Sequence, residues 1–260
     1  MPFPPAMIAD IGSPPVPRQP GGGGGGMPPS DPPPREEAPI FNAPRTVLGV
    51  VVLTALVFLV SHYANDGIAN LLFAHLVLLP IRFLSTQNLA YDWTATLLSP
   101  LGHALLHASW MHLVVNMGLL LGFGTALTRR DGPAGFLLIY VASVLAGGAL
   151  YVALAADPQA PVIGASGGVS GVMGAVCQMG FAQIRGGPLA PAPFHRRGMA
   201  MTYSLSFFSI NLVLAIFAAQ IGIAWQAHLG GFVAGFLLNM LLDKRQILAR
   251  RERAASNQDK

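Results

Sequence analysis

The chain has 260 residues, of which 53% are hydrophobic and only 10% charged, whereas an ordinary soluble domain carries about 25% charged residues. With a mean hydropathy of +0.54, this balance excludes a soluble globular enzyme and describes a polytopic membrane protein. The net charge of +4 and pI near 9.6 do not indicate a nucleic-acid partner, because the basic residues cluster at the ends of apolar runs, as membrane orientation requires.

Residues 1–45 hold most of the 22 prolines and the glycine run Gly21 to Gly26. They cannot bury enough apolar surface to offset chain entropy and are expected to form a disordered tail. The tail lacks a signal peptide's basic start, apolar middle and cleavage site, so it is expected to be retained. Six spans of about 20 apolar residues follow, at 46–65, 104–127, 134–156, 163–184, 202–222 and 225–243. The stretch Ile68 to Leu84 is apolar but short, and it carries His75, Pro80 and Arg82; an interfacial or re-entrant segment fits it better than a seventh span. The single cysteine, Cys177, lies in an apolar run and rules out an intrachain disulfide. Residues 244–260 form a basic tail whose Lys244 to Arg253 segment is expected to contact anionic headgroups. With both termini inside, 14 lysines and arginines fall on the cytoplasmic side and only Arg82 outside, as the positive-inside rule asks.

Two polar residues stand where a lipid-buried segment should have none: Ser166, in Gly164-Ala165-Ser166-Gly167, and His228, in Ala227-His228-Leu229-Gly230-Gly231. Such groups are costly in lipid unless function retains them, so the pair reads first as catalytic. Spans four and six run in the same direction, which puts both groups at one depth, about one turn (~5.4 Å) below the outer end, where water has access through a polar cavity. Span two adds His112 and Asn116, four apart on one helical face. Both can donate to an oxyanion, and losing one such donor costs about 3–4 kcal/mol; the blander reading is that they bond neighbouring helices. Gly167 and Gly171 on span four, and Gly231 and Gly235 on span six, let backbones approach in lipid. Packing alone also accounts for these glycines, so they support a shared serine–histidine proton without identifying it.

The segments His112 to Asn116, Gly164 to Gly167 and Ala227 to Gly231, in this order on spans two, four and six, resemble the rhomboid family of intramembrane serine proteases over about residues 46 to 243. The resemblance implies an all-α, six-helix membrane domain that cleaves transmembrane protein substrates in or near their membrane segments. It implies neither a metal nor an organic cofactor, and partners limited to those substrates and the lipid bilayer. Carried over residue by residue, Ser166 is the nucleophile and His228 the general base, with His112, Asn116 and the Ser166 backbone N–H as oxyanion donors. His228 must then be neutral near pH 7 to accept the proton. Asp157 and Asp243 lie at span ends, so no carboxylate is expected to complete a triad.

The chain departs from the family pattern at two places. Trp93 is followed by Thr94, and the offset before His103 holds Leu98-Ser99, where many members carry a Trp-Arg pair. Ser170 stands one turn after Ser166, where several relatives have an aromatic. Ser170 is also a rival nucleophile, since Gly168-Val169-Ser170-Gly171 repeats the short pattern, but it lies about 6 Å deeper. The run Gly164 to Gly168 satisfies the Gly-x-Ser-x-Gly elbow, yet no strand precedes it. Two further readings compete: a metal- or haem-binding transporter or redox protein using His103, His107 and His112, and a catalytically inactive relative that binds membrane clients. On a continuous helix His112 points about 180° from His103 and His107, which disfavours the metal; His103 and His107 read instead as loop-organising hydrogen bonders. A compact six-span core without appended folded domains fits a bacterial inner membrane.

Overall fold

The computed structural model describes residues 43–84, 92–181, 194–216 and 223–258. The expected tail, 1–45, lies almost wholly outside them. Among the described residues every regular element is helical: α1 (Arg45–Tyr63), α2 (Asp66–Leu76), α3 (Ile81–Leu84), α4 (Trp93–Gly102), a 3-10 turn (His103–Leu105), α5 (Trp110–Ala153), α6 (Ser166–Phe181), α7 (Phe194–Ile216) and α8 (Trp225–Gln258). Four of these, α1, α5, α7 and α8, are long and apolar enough to cross a membrane. The protein is an integral, multi-pass membrane protein.

The 44 residues of α5 would reach ~66 Å if straight, about twice the hydrocarbon thickness of a bilayer. Gly132, at φ 76° and ψ 174°, reverses the chain instead, in a region of backbone space that a Cβ disfavours. Pro133 then opens the second arm, where a missing N–H costs nothing. The arms lie side by side, since a Cβ on Gly124 would stand 3.1 Å from the Phe136 ring. Expected spans two and three are thus the arms of one folded helix.

Span two begins later than expected. Leu106 adopts φ −85° and ψ 140°, ending the 3-10 turn, and the Ser109 hydroxyl accepts the His112 N–H at 3.2 Å, which caps a new helix at Trp110. The expected continuous helix from residue 104 is therefore broken at 106–109. Span four also starts later, at Ser166 rather than 163. The sixth helix runs beyond the expected 243, with its backbone helical to Gln258.

The stretch Ile68 to Leu84 contains α2, whose 11 residues reach only ~16 Å, and the four-residue α3. Between them Leu78 bridges Val162, and the Arg82 guanidinium donates to the carbonyls of Val77 and Ala74 at 2.6 and 2.7 Å. A segment this short and this broken does not span.

Alpha six is the centre of the bundle, since none of its side chains from Ser166 to Gly180 is exposed. Val169 and Val172 join Leu120, Leu127, Phe136, Ile139 and Val144 of α5, and Val47 and Phe58 of α1, in one core. The outer faces of α1 and α7 are apolar instead: Val52, Leu53 and Leu56, and Leu205, Leu212 and Ile216, are exposed. Such surfaces suit lipid rather than water. At the far end of α6 from Ser166, Gln178 donates to Asp243 at 3.3 Å, Asn239 donates to Gln178 at 2.6 Å, and Arg130 pairs with Asp243. This network ties the α5 reversal to α6 and α8.

Asp92 caps α4, accepting the backbone N–H groups of Thr94 and Ala95 at 2.9 and 3.1 Å. The Thr94 hydroxyl, and then those N–H groups, hold its carboxyl below the usual 3.8. A depressed carboxylate stabilises the fold fully above its unfolded pKa and loses that contribution as pH falls through the folded one. Asp92→Asn is therefore expected to remove part of the acid dependence of thermal unfolding below about pH 4, read as a flatter melting temperature against pH than in wild type.

Candidate active site

Ser166 is the first residue of α6. The chain reaches it through Gly164, at φ 120°, a conformation that favours glycine. A Cβ at Gly164 would also stand 2.8 Å from the His112 ring and 3.8 Å from Ser166 Oγ. Gly164 is thus the place where serine and His112 come together, and any side chain there would part them.

The loop before Ser166 is held from two sides. The Gly164 N–H donates to the His103 carbonyl at 2.8 Å, and the Ala165 N–H donates to His107 Nε2 at 3.4 Å. His103 is itself fixed by a 2.8 Å bond from Nδ1 to the Ser99 carbonyl. Both histidines organise the loop. The helical break at 106–109 corrects one expectation, because His107 does not point away from His112: their rings meet edge to face, centroids 4.8 Å apart. Among the described residues no group of three or more His, Cys, Asp or Glu could hold a metal ion.

His228 lies in the first turn of α8, and its Nε2 is 2.9 Å from Ser166 Oγ. Both residues are half-buried. Ser170, one turn deeper, is buried, and no hydrogen bond joins it to the imidazole. Asn116 is buried on α5, and its amide donates to the His112 carbonyl at 3.0 Å. Ser166, His112, Gly164 and His228 thus form one cluster, while the hydrogen bond made by Asn116 runs back along its own helix. The first N–H groups of α6 have no intrahelical partner. They face the end that favours negative charge.

The approach of α6 and α8 explains the short Ser166–His228 distance. A Cβ at Gly231 would fall on the Gly167 carbonyl oxygen, one at Gly235 on that of Gly171, and one at Gly174 on that of Phe232. A Cβ at Gly171 would likewise stand 2.7 Å from the Gly231 carbonyl oxygen and would fall on the Ser143 side chain of α5. The backbones touch at positions four residues apart, as small residues permit.

One residue at the site was missed in the sequence. Asn211 of α7, 7% exposed, places Oδ1 3.2 Å from His228 Nδ1. The available signal was an amide inside an apolar run, the same anomaly that singles out Ser166 and His228.

The family model described as a Rhomboid domain matches residues 93–245, a range that takes in every residue of this cluster. Rhomboid-like protease 1 of Toxoplasma gondii is 31% identical over 141 residues, 54% of this chain and 45% of its own length. Rhomboid protein 1, mitochondrial, of Saccharomyces cerevisiae is 30% identical over 173 residues, 63% of this chain and 47% of its own. The chain spans less than half the length of either relative.

Proposed function

The chain belongs to the rhomboid family, and from that premise we propose that it is an intramembrane serine protease that cleaves transmembrane protein substrates, with Ser166 as nucleophile and His228 as general base. The observation that carries this reading is the 2.9 Å hydrogen bond between Ser166 Oγ and His228 Nε2, which lies within the reach proton transfer needs.

In the reaction, Ser166 Oγ attacks the scissile carbonyl carbon as its proton passes to His228 Nε2. The carbonyl π pair moves to oxygen, and the oxyanion forms beside the Ser166 N–H and the His112 ring, with Asn116 one turn on. His228 then gives its proton to the amide nitrogen as the C–N bond breaks. Water, deprotonated by the same nitrogen, releases the acyl group and restores the hydroxyl. The negative charge develops at a helix start and next to ring donors, where fixed dipoles act strongly in a site shielded from bulk water.

Six crossings follow from α1, the two arms of α5, α6, α7 and α8, making residues 46–243 the membrane domain. The basic residues Arg129, Arg130, Lys244 and Arg245 fall at the end remote from Ser166, which supports cytoplasmic termini, with residues 1–45 and 244–260 as tails, and a site opening outward.

The test is cleavage in liposomes. The purified protein is expected to cut a single-pass substrate whose transmembrane helix carries glycine or proline, and to cut it at the same rate after dialysis against a chelator. Failure to cut any of a panel of such substrates, with metal bound stoichiometrically through His103 and His107, would favour the transporter reading instead.

A further inference from the structure

We propose that Asn211 is a positioning residue for His228: its side-chain oxygen holds the imidazole in the tautomer and orientation that accept the Ser166 proton. The inference rests on the reading of Ser166 and His228 as the reacting pair. Asn211 Nδ2 donates to the Phe207 carbonyl at 2.9 Å. A carbonyl oxygen can only accept, so this bond fixes which end of the amide is which and turns Oδ1 toward the ring. Oδ1 in turn can only accept, so the 3.2 Å contact requires the hydrogen on His228 Nδ1. In a neutral imidazole Nε2 is then bare. The 2.9 Å bond therefore runs from Ser166 Oγ–H to Nε2, the direction in which the proton must travel.

Alpha seven is built to hold this contact. Within its described side chains, Ala200, Phe207 and Asn211 are the buried ones, while Leu205, Ile210, Leu212, Val213 and Ile216 face outward. Phe207 stacks on Phe232, centroids 4.3 Å apart and planes 17° from parallel. Phe207 and Asn211 are four residues apart, as are His228 and Phe232, so the two helices meet in two rungs, one aromatic and one polar. An amide suits the polar rung better than a carboxylate, because it fixes the tautomer without placing a charge in lipid. The aromatic rung holds the helices together, so loss of the polar one leaves the packing in place.

The experiment measures kcat, KM and the pH profile of kcat/KM on a transmembrane substrate in liposomes for Asn211→Ala, Asn211→Asp, Phe207→Ala and Ser166→Ala. Asn211→Ala is expected to lower kcat by about 10- to 100-fold, the range for one lost buried hydrogen bond, with KM little changed. Asn211→Asp keeps an acceptor on Nδ1 and adds charge that favours the imidazolium, so it is expected to regain activity over Asn211→Ala with the acid limb moved to higher pH. Among the described residues His112 on α5 is the other titratable group that acts on this ring, and it is the same in every variant, so the displacement belongs to position 211. Wild-type kcat in Asn211→Ala overturns the proposal, as does an unmoved acid limb in Asn211→Asp together with equal losses in Asn211→Ala and Phe207→Ala. If the alanine variant does not fold, the Asn211→Asp profile alone decides. Inactive Ser166→Ala beside wild-type Asn211 variants removes only the positioning role, whereas an active Ser166→Ala removes the reacting pair as well.

Discussion

Ser166→Ala is expected to abolish cleavage and labelling by a fluorophosphonate probe, while Ser170→Ala keeps both. The two serines stand one turn apart on α6, and the short Gly-x-Ser-Gly-like pattern surrounds each of them. The difference between them is the partner: Ser166 Oγ lies 2.9 Å from His228 Nε2, while Ser170 is buried among the packed helices. A serine hydroxyl without a base is a weak nucleophile. Removing the nucleophile of a serine protease typically costs about 10⁶ in kcat, equivalent to about 8 kcal/mol of transition-state stabilisation. His228→Ala is expected to match that loss, since residues that act as a unit lose their effect together. Melting temperatures should stay near wild type for Ser166→Ala, because the lost group is small and half-buried. Labelling that survives in Ser166→Ala and disappears in Ser170→Ala would move the nucleophile one turn deeper.

Much of this arrangement was readable from the residues, because lipid makes polar side chains conspicuous. Ser166 and His228 stood out as costly groups near the same depth, and the glycine spacings at 167, 171, 231 and 235 announced that α6 and α8 approach. What escaped was local chain geometry. An apolar run from Ala104 reads as one helix, yet Ser109 before Trp110 is a serine ahead of an apolar stretch, the ordinary sign of a helix start. A helix continuous through that cap would turn His107 away from His112, whereas the break lets the two rings touch. Asn211 escaped for a different reason. A carboxylate is the usual partner of a catalytic imidazole, but in a membrane the same hydrogen-bonding duty falls more cheaply to an amide. The relation between α7 and α8 was not accessible to periodicity at all, because apolar residues cover α7 on every side.

Substituting alanine for Gly231 is expected to damage activity more than stability. The added Cβ would meet the Gly167 carbonyl oxygen, and Gly230 and Gly231 pack against the Gly147 region of α5 and against α6 together. Neither backbone can yield without carrying its helix outward, and overpacking of this kind costs about 1–3 kcal/mol. His228 sits less than one turn before Gly231, so a shift that relieves the clash also lengthens the 2.9 Å bond to Ser166. A displacement of about 1 Å at a reacting pair can cost about 100-fold in rate. Gly235→Ala, whose Cβ would meet Gly171, is expected to show similar destabilisation with a smaller loss of activity, because it lies a further turn from the imidazole. Gly118 and Gly122 supply the contrast, since nothing lies within 4 Å of a Cβ at either; alanine there should leave melting temperature and kcat at or slightly above wild type. The measurement is the thermal unfolding and cleavage rate of all four variants in the same liposomes. Wild-type melting and activity in Gly231→Ala would mean that the two helices are farther apart than the backbone contacts require, and the serine–histidine hydrogen bond would then lose its physical cause.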